Sequence, residues 1–167
     1  MHFEISDFNK LIESAKFNPE HERGEKSIID ELSALYMSAY RGIEEYGEPS
    51  LSHAKRYIKW LMRHSDFFKV IISENRFIGF IACSSDWFWN GRVGEIHEVC
   101  IDPDFRKRGF GKFLVNLAID FFSQRKLKRA GLWVGEKNEV AIKFYKSLGF
   151  EFSGDRFPNW LRMEKEI

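Results

Sequence analysis

Cysteine is scarce in this chain: Cys83 and Cys100 are the only two among 167 residues. Two thiols in strand-like apolar runs supply neither a disulfide scaffold nor a four-ligand zinc site. They read as buried groups of a reducing compartment, and no metal is expected. Proline is scarce as well, and there is no Gly/Ser linker, low-complexity tract or internal repeat. Nothing therefore divides the chain, and residues 1–167 read as one domain with an adequate core. Also missing is any apolar run of membrane-span length. The opening MHFEISDFNK carries acids and lacks the pattern of a secretory leader. These features predict a soluble, cytoplasmic chain with no membrane partner. A net charge of +1 leaves no global basic field to hold nucleic acid.

Rings are plentiful. Seventeen phenylalanines and five tryptophans point to a core of large side chains. The apolar periodicity predicts a short strand at His2–Ser6, a helix at Asp7–Phe17 and a polar loop at Asn18–Lys26. A helix capped by Ser27 then runs to about Tyr40, and a loop spans Arg41–Pro49. A second amphipathic helix covers about Ser50–His64. Strands Phe67–Ser73 and Phe77–Ser84 form a hairpin. Trp87-Phe88-Trp89 and the turn signal Asn90-Gly91 lead into a strand at Val93–Ile101. A helix from Phe110, a strand at Arg129–Val134 and a helix at Asn138–Leu148 follow. Strands Phe150–Ser153 and Trp160–Lys165 finish the chain. This order predicts an α/β (α+β) sandwich, with helices flanking one mixed sheet of six to seven strands.

The chain is organised around Ile96–Phe122. Strand-like Ile96–Ile101 and the turn Asp102-Pro103-Asp104 lead to Arg106-Lys107-Arg108-Gly109-Phe110-Gly111-Lys112, where a helix begins. Helix N-termini offer unpaired N–H groups and partial positive charge, and glycine admits a bulky anion close to the backbone. The stretch reads as a cradle for phosphate or pyrophosphate. It is no Walker loop, because Phe113 stands where a magnesium-binding hydroxyl is needed. It is no dinucleotide fingerprint either, because Leu114 replaces the third glycine.

Arg106-x-x-Gly109-x-Gly111 between strand and helix resembles motif A of the GNAT superfamily, the GCN5-related N-acetyltransferases. A second stretch, Asn138-x-x-Ala141-x-x-Phe144-Tyr145-x-x-x-Gly149-Phe150, resembles motif B of that family. Its form is similar to that of enzymes acetylating protein N-termini, especially the ribosomal-protein branch. The resemblance implies a GNAT-like sheet splayed between its fourth and fifth strands, with an acceptor-side half at about 1–92 and a cofactor half at about 93–167. It implies an acetyl-CoA-dependent N-acetyltransferase acting on a primary amine, on a protein N-terminus, lysine or small molecule, by direct attack in a ternary complex. The coenzyme would lie along Val99, Cys100 and Ile101, and its pyrophosphate on the loop from Arg106 to Lys112. Asn138, Ala141, Phe144 and Tyr145 would border its pantetheine arm. Tyr145 would protonate the leaving thiolate.

The base is open between Glu98 and Glu95, with His97 third. Strict alternation places Glu95, His97, Val99 and Ile101 on one face and Ile96, Glu98 and Cys100 on the other, unless a bulge changes the parity. Trp87-Phe88-Trp89 is either hairpin packing or a wall of the acceptor pocket. Tyr40, Glu44, Glu45 and Tyr46 either attract an amine or form a solvated turn. Edge strands near the C-terminus leave monomer and homodimer both open. A non-catalytic coenzyme A-binding module is the alternative reading.

Overall fold

The structure is a computed structural model that describes residues 3–17 and 24–167. His2 and most of the predicted loop at 18–26 lie outside the described residues. Among the described residues, one seven-stranded sheet carries five helices. Its strands are β1 (Glu4–Asp7), β2 (Phe67–Ser73), β3 (Arg76–Phe88), β4 (Arg92–Ile101), β5 (Arg129–Gly135), β6 (Glu151–Phe157) and β7 (Trp160–Glu166). The spatial order is β1-β2-β3-β4-β5-β7-β6, antiparallel except for the β4–β5 pair. The mixed sheet and its helices agree with the sequence expectation.

Apolar stripes at helical spacing place two layers on the sheet. Helices α1 (Phe8–Phe17), α2 (Glu25–Ala39) and α3 (Leu51–His64) cover one face. Ile28, Leu32, Ile58 and Leu61 pack there against Phe68 and Phe80. Helix α4 (Phe110–Gln124) covers the other face, and α5 (Glu139–Ser147) packs beside it. Leu114, Ala118 and Phe122 meet Ile78, Leu132 and Met163 there. Fully burying each such side chain stabilises the fold by about 1.5–3 kcal/mol. Among the described residues, no helix is long and apolar enough to cross a membrane.

Some boundaries differ from the sequence reading. Helix α2 starts at Glu25, where the Ile28 N–H already donates to the Gly24 carbonyl at 3.1 Å. Ser27 thus sits inside the first turn and does not cap it. Strand β3 continues through Trp87 to Phe88, because those two residues pair with Val93 and Arg92. Strand β6 extends to Phe157 for the same reason, pairing with Trp160.

Two features of β4 position the site. First, β4 and β5 share only two register partners, Gly94 with Ala130 and Glu95 with Gly131. Past them β5 keeps only its pairing with β7, which runs its whole length, and its far half leaves β4. The predicted splay is present. Second, β4 bulges. Ala82 faces Glu98 and Cys83 faces Ile96, which leaves His97 as the extra residue. The strict alternation expected from the sequence is therefore corrected. Cys100 joins the α1–α3 core, whereas Ile96, Val99 and Ile101 all lie with the α4 cluster. The bulge turns both His97 and Glu98 toward α2 and α3.

Candidate active site

A cleft of about 1260 Å³ opens at the splay. Every residue expected at the site borders it except Arg108, whose guanidinium lies over the Phe105 ring at 5.0 Å.

The loop after β4 forms one end. Asp102 accepts from the Asp104 amide at 2.9 Å and starts a tight turn at Pro103–Phe105. Arg106 then pins the loop in place. Its guanidinium donates to the carbonyls of Ala39 at 2.6 Å and Ile101 at 3.3 Å. The bond to Ala39 ties the loop to the C-terminus of α2. Gly109 adopts φ 88°, which a side chain would strain, and a Cβ there would meet nothing within 4 Å. The first helical bond of α4 runs from Phe113 N–H to the Gly109 carbonyl at 2.9 Å. The amides of Gly109, Phe110, Gly111 and Lys112 precede it and find no acceptor among the described residues. Gly111 serves a different need: a Cβ there would come within 3.2 Å of Phe144, so glycine lets α5 pack against α4. Lys107, Lys112 and Lys143 add positive charge around the open amides. This donor set fits a pyrophosphate and offers no carboxylate to repel one.

Glu98 lies deeper in the cleft. Tyr40 donates to both of its oxygens, at 3.1 and 3.2 Å, and the Val99 amide reaches Oε1 at 3.2 Å. The Cys100 thiol lies 3.6 Å from the same oxygen. Burial pushes the Glu98 carboxyl up to about 7, and these hydrogen bonds only partly offset it. Glu98 thus titrates near neutrality. Since Val99 N–H is engaged by Glu98, it is not a free donor in this state.

Glu95 is disposed differently. Arg162 of β7, wholly buried, donates to it at 2.7 Å and to Glu164 at 3.1 Å. The guanidinium lies against the backbone of Gly131, in space a Cβ would fill, and beside the rings of Trp89 and Trp133. Burial pushes Glu95 up, and Arg162 pulls against it. His97 is wedged edge-on between Trp60 at 5.2 Å and Trp87 at 4.9 Å. Burial, reinforced by His64, lowers its pKa to about 4, so the imidazole is neutral at physiological pH.

Helix α5 borders the cleft from the far side of the splay. The Asn138 Oδ1 caps it by accepting from the Ala141 amide at 3.1 Å. Tyr145 packs beside Phe144 and Phe150, and burial raises its phenol well above the ordinary value. A phenol so shifted stays protonated at physiological pH and keeps its O–H as a donor toward the cleft.

The sequence profile of the Acetyltransferase (GNAT) family matches residues 29–150. The chain is also 43% identical over 146 residues to an uncharacterised N-acetyltransferase, MJ1207 of Methanocaldococcus jannaschii. That match covers 85% of this chain and 64% of the relative. The crystal structure of PH1933 from Pyrococcus horikoshii shares 33% identity at a TM-score of 0.81, with 99% of each chain covered. The chain belongs to the GNAT family. Among more distant GNAT folds, a PaiA N-acetyltransferase from Thermoplasma acidophilum in complex with coenzyme A covers 100% of both chains, with 20% identity and a TM-score of 0.70. The GNAT sheet in the present chain adds side chains that the sequence reading passed over: Tyr36, Tyr57, Trp60, Trp133, Trp160 and Arg162. Tyr57 donates to the His97 carbonyl at 3.3 Å, at the bulge itself. Glu44, by contrast, turns back to its own loop and accepts from the Gly42 amide at 2.8 Å.

Proposed function

We propose that this chain is an acetyl-CoA-dependent N-acetyltransferase that acetylates a primary amine by direct transfer in a ternary complex. The observation that carries this reading is the row of unbonded amides at the start of α4, beside the splay and in one cleft with Glu98 and Tyr145. The amides of Gly109 to Lys112 hold the coenzyme's pyrophosphate, with Lys107 and Lys112 alongside. Val99, Cys100 and Ile101 border the pantetheine arm on one side, and Asn138, Ala141 and Phe144 on the other. When bound, acetyl-CoA supplies a thioester carbonyl, from which the acetyl group passes to the amine nitrogen.

The protein's own groups move two protons. Glu98, ionised above about pH 7, accepts the proton that the amine must lose. Tyr145 gives its proton to the departing sulfur and recovers one from solvent. We assign the base to Glu98 and not to Glu95, whose Oε1 accepts from Arg162 at 2.7 Å; Glu95 positions the β4–β5 junction instead. His97, neutral and walled by two indoles, orients the bulge. Residues up to about 92 supply most of the acceptor wall and those from about 93 the cofactor site, within a single domain.

A thiol-release assay with acetyl-CoA and a panel of amines and N-terminal peptides tests the reading. Turnover with at least one amine supports it. Coenzyme binding without turnover on any amine would leave a coenzyme A-binding module instead.

A further inference from the structure

The tryptophans and tyrosines are not spread through this molecule. All five of each border the cleft, against four phenylalanines among the described residues. No tryptophan is fully buried; each keeps part of its surface open. Phe68, Phe80 and Phe122 fill the core, whereas the rings with a polar handle gather along the cleft wall, Tyr36 and Tyr46 being buried within it. Their positions are fixed by mutual packing. Trp60 stacks on Tyr57 and His64, and meets His97 edge-on. Trp87 meets His97 from another side. Trp133 stands perpendicular to Trp89 at 5.1 Å and touches Phe157, and Trp160 stands edge-on to Tyr46.

The charge around these rings is sparse. Among the described residues, three carboxylates border the cleft: Glu48, Glu95 and Glu98. Arg162 neutralises Glu95, and Glu98 is occupied as the proton acceptor. A polycationic acceptor would need several unpaired carboxylates, and only Glu48 remains. A small polar acceptor would leave the rings facing water. Rigid, preformed aromatic surface next to a single buried carboxylate fits a different guest.

We propose that the acceptor is a primary amine borne on a large apolar, ring-bearing body, seated against the indoles of Trp60, Trp87 and Trp133 with its nitrogen at Glu98. The inference rests on the N-acetyltransferase reading and names its substrate class. The same chemistry is offered by a free arylalkylamine and by a peptide whose first residue is bulky and aromatic.

Steady-state thiol release from acetyl-CoA with the full chain separates the possibilities. The amines are 2-phenylethylamine, 1,4-diaminobutane, and two peptides differing only in Phe or Gly at the first position. One or both ring-bearing acceptors should exceed the others in kcat/KM by about tenfold or more, as one ring's contacts allow. Which of the two leads identifies the source. Equal or better rates for diaminobutane or the Gly-first peptide would overturn the proposal while leaving the N-acetyltransferase reading intact. Trp87→Leu and Trp60→Phe should each shrink the ring preference, mainly through KM, in protein that still binds coenzyme A. An unchanged preference in both would also overturn it. If no amine turns over, the N-acetyltransferase reading fails, and tryptophan fluorescence decides the pocket's chemistry. Saturable quenching by 2-phenylethylamine in the presence of coenzyme A upholds ring binding; no quenching ends it.

Discussion

The two ends of the cleft are built from different materials. At the α4 end the protein presents main chain: four amides with no acceptor among the described residues, a glycine at φ 88° and a loop held by Arg106. At the acceptor end it presents side chains brought from α2, α3, β3, β5 and the β6–β7 hairpin. A backbone cradle of the kind we propose would be generic and would recognise a diphosphate whatever the partner amine. A wall of indoles and phenols is specific, and it changes with any of its contributing elements. Arg162 and Glu95 join the two ends, fastening β4 to the β5–β7 ribbon at the point where the sheet opens.

If the two ends are separable in this way, damage to each should have a distinct signature. The largest effect is expected from Gly109→Val, which places a branched side chain at positive φ and in the space reserved for the anion. Coenzyme A affinity by titration calorimetry should fall at least about a hundredfold, a loss of roughly 3 kcal/mol. Tyr145→Phe should lower kcat by about ten- to a thousandfold with little change in coenzyme affinity. Turnover equal to the parent would remove Tyr145 from the chemistry.

Glu98→Gln should lower kcat/KM by about a hundredfold and abolish the rise of activity as pH climbs through about 7. The sign of its stability effect is opposite. Because burial raises Glu98 from 4.5 to about 7, the folded chain prefers the protonated acid. That contribution is complete below pH 4.5 and fades as pH rises through 7. Glu98→Gln should therefore raise Tm relative to the parent at pH 8, with the gain vanishing near pH 4. The smallest effect is expected from Asn138→Ala. Loss of the α5 cap should cost about 1 kcal/mol in chemical denaturation. One lost hydrogen bond should weaken coenzyme binding roughly fivefold.

The same contrast decides what could be read from the sequence. The cradle was legible because its needs are local. Gly109, Gly111 and the cations of Arg106–Lys112 stand side by side, and Asn138 to Phe150 repeats the logic on the next helix. The sheet and its helices followed from periodicity and from the order of elements, and the splay from the resemblance to the GNAT family. The face of each β4 residue did not follow, because one bulged residue, His97, inverts the parity of everything after it. Nor did the fate of Glu95, whose partner lies 67 positions away on the last strand. Trp60 reads as one more ring on an amphipathic helix, and only the fold shows that it stands beside Trp87, with His97 between them. The concentration of tryptophan and tyrosine was visible as a number, but its location was a tertiary fact.

If the amides at the start of α4 grip a diphosphate as proposed, amide NMR reads it directly. Titrating coenzyme A into the labelled chain should move the N–H resonances of Gly109, Phe110, Gly111 and Lys112 strongly downfield, as expected for donors meeting phosphate oxygens. It should leave the amides of β1 and α1 unmoved. Saturable binding of coenzyme A with those four resonances unshifted would contradict the account.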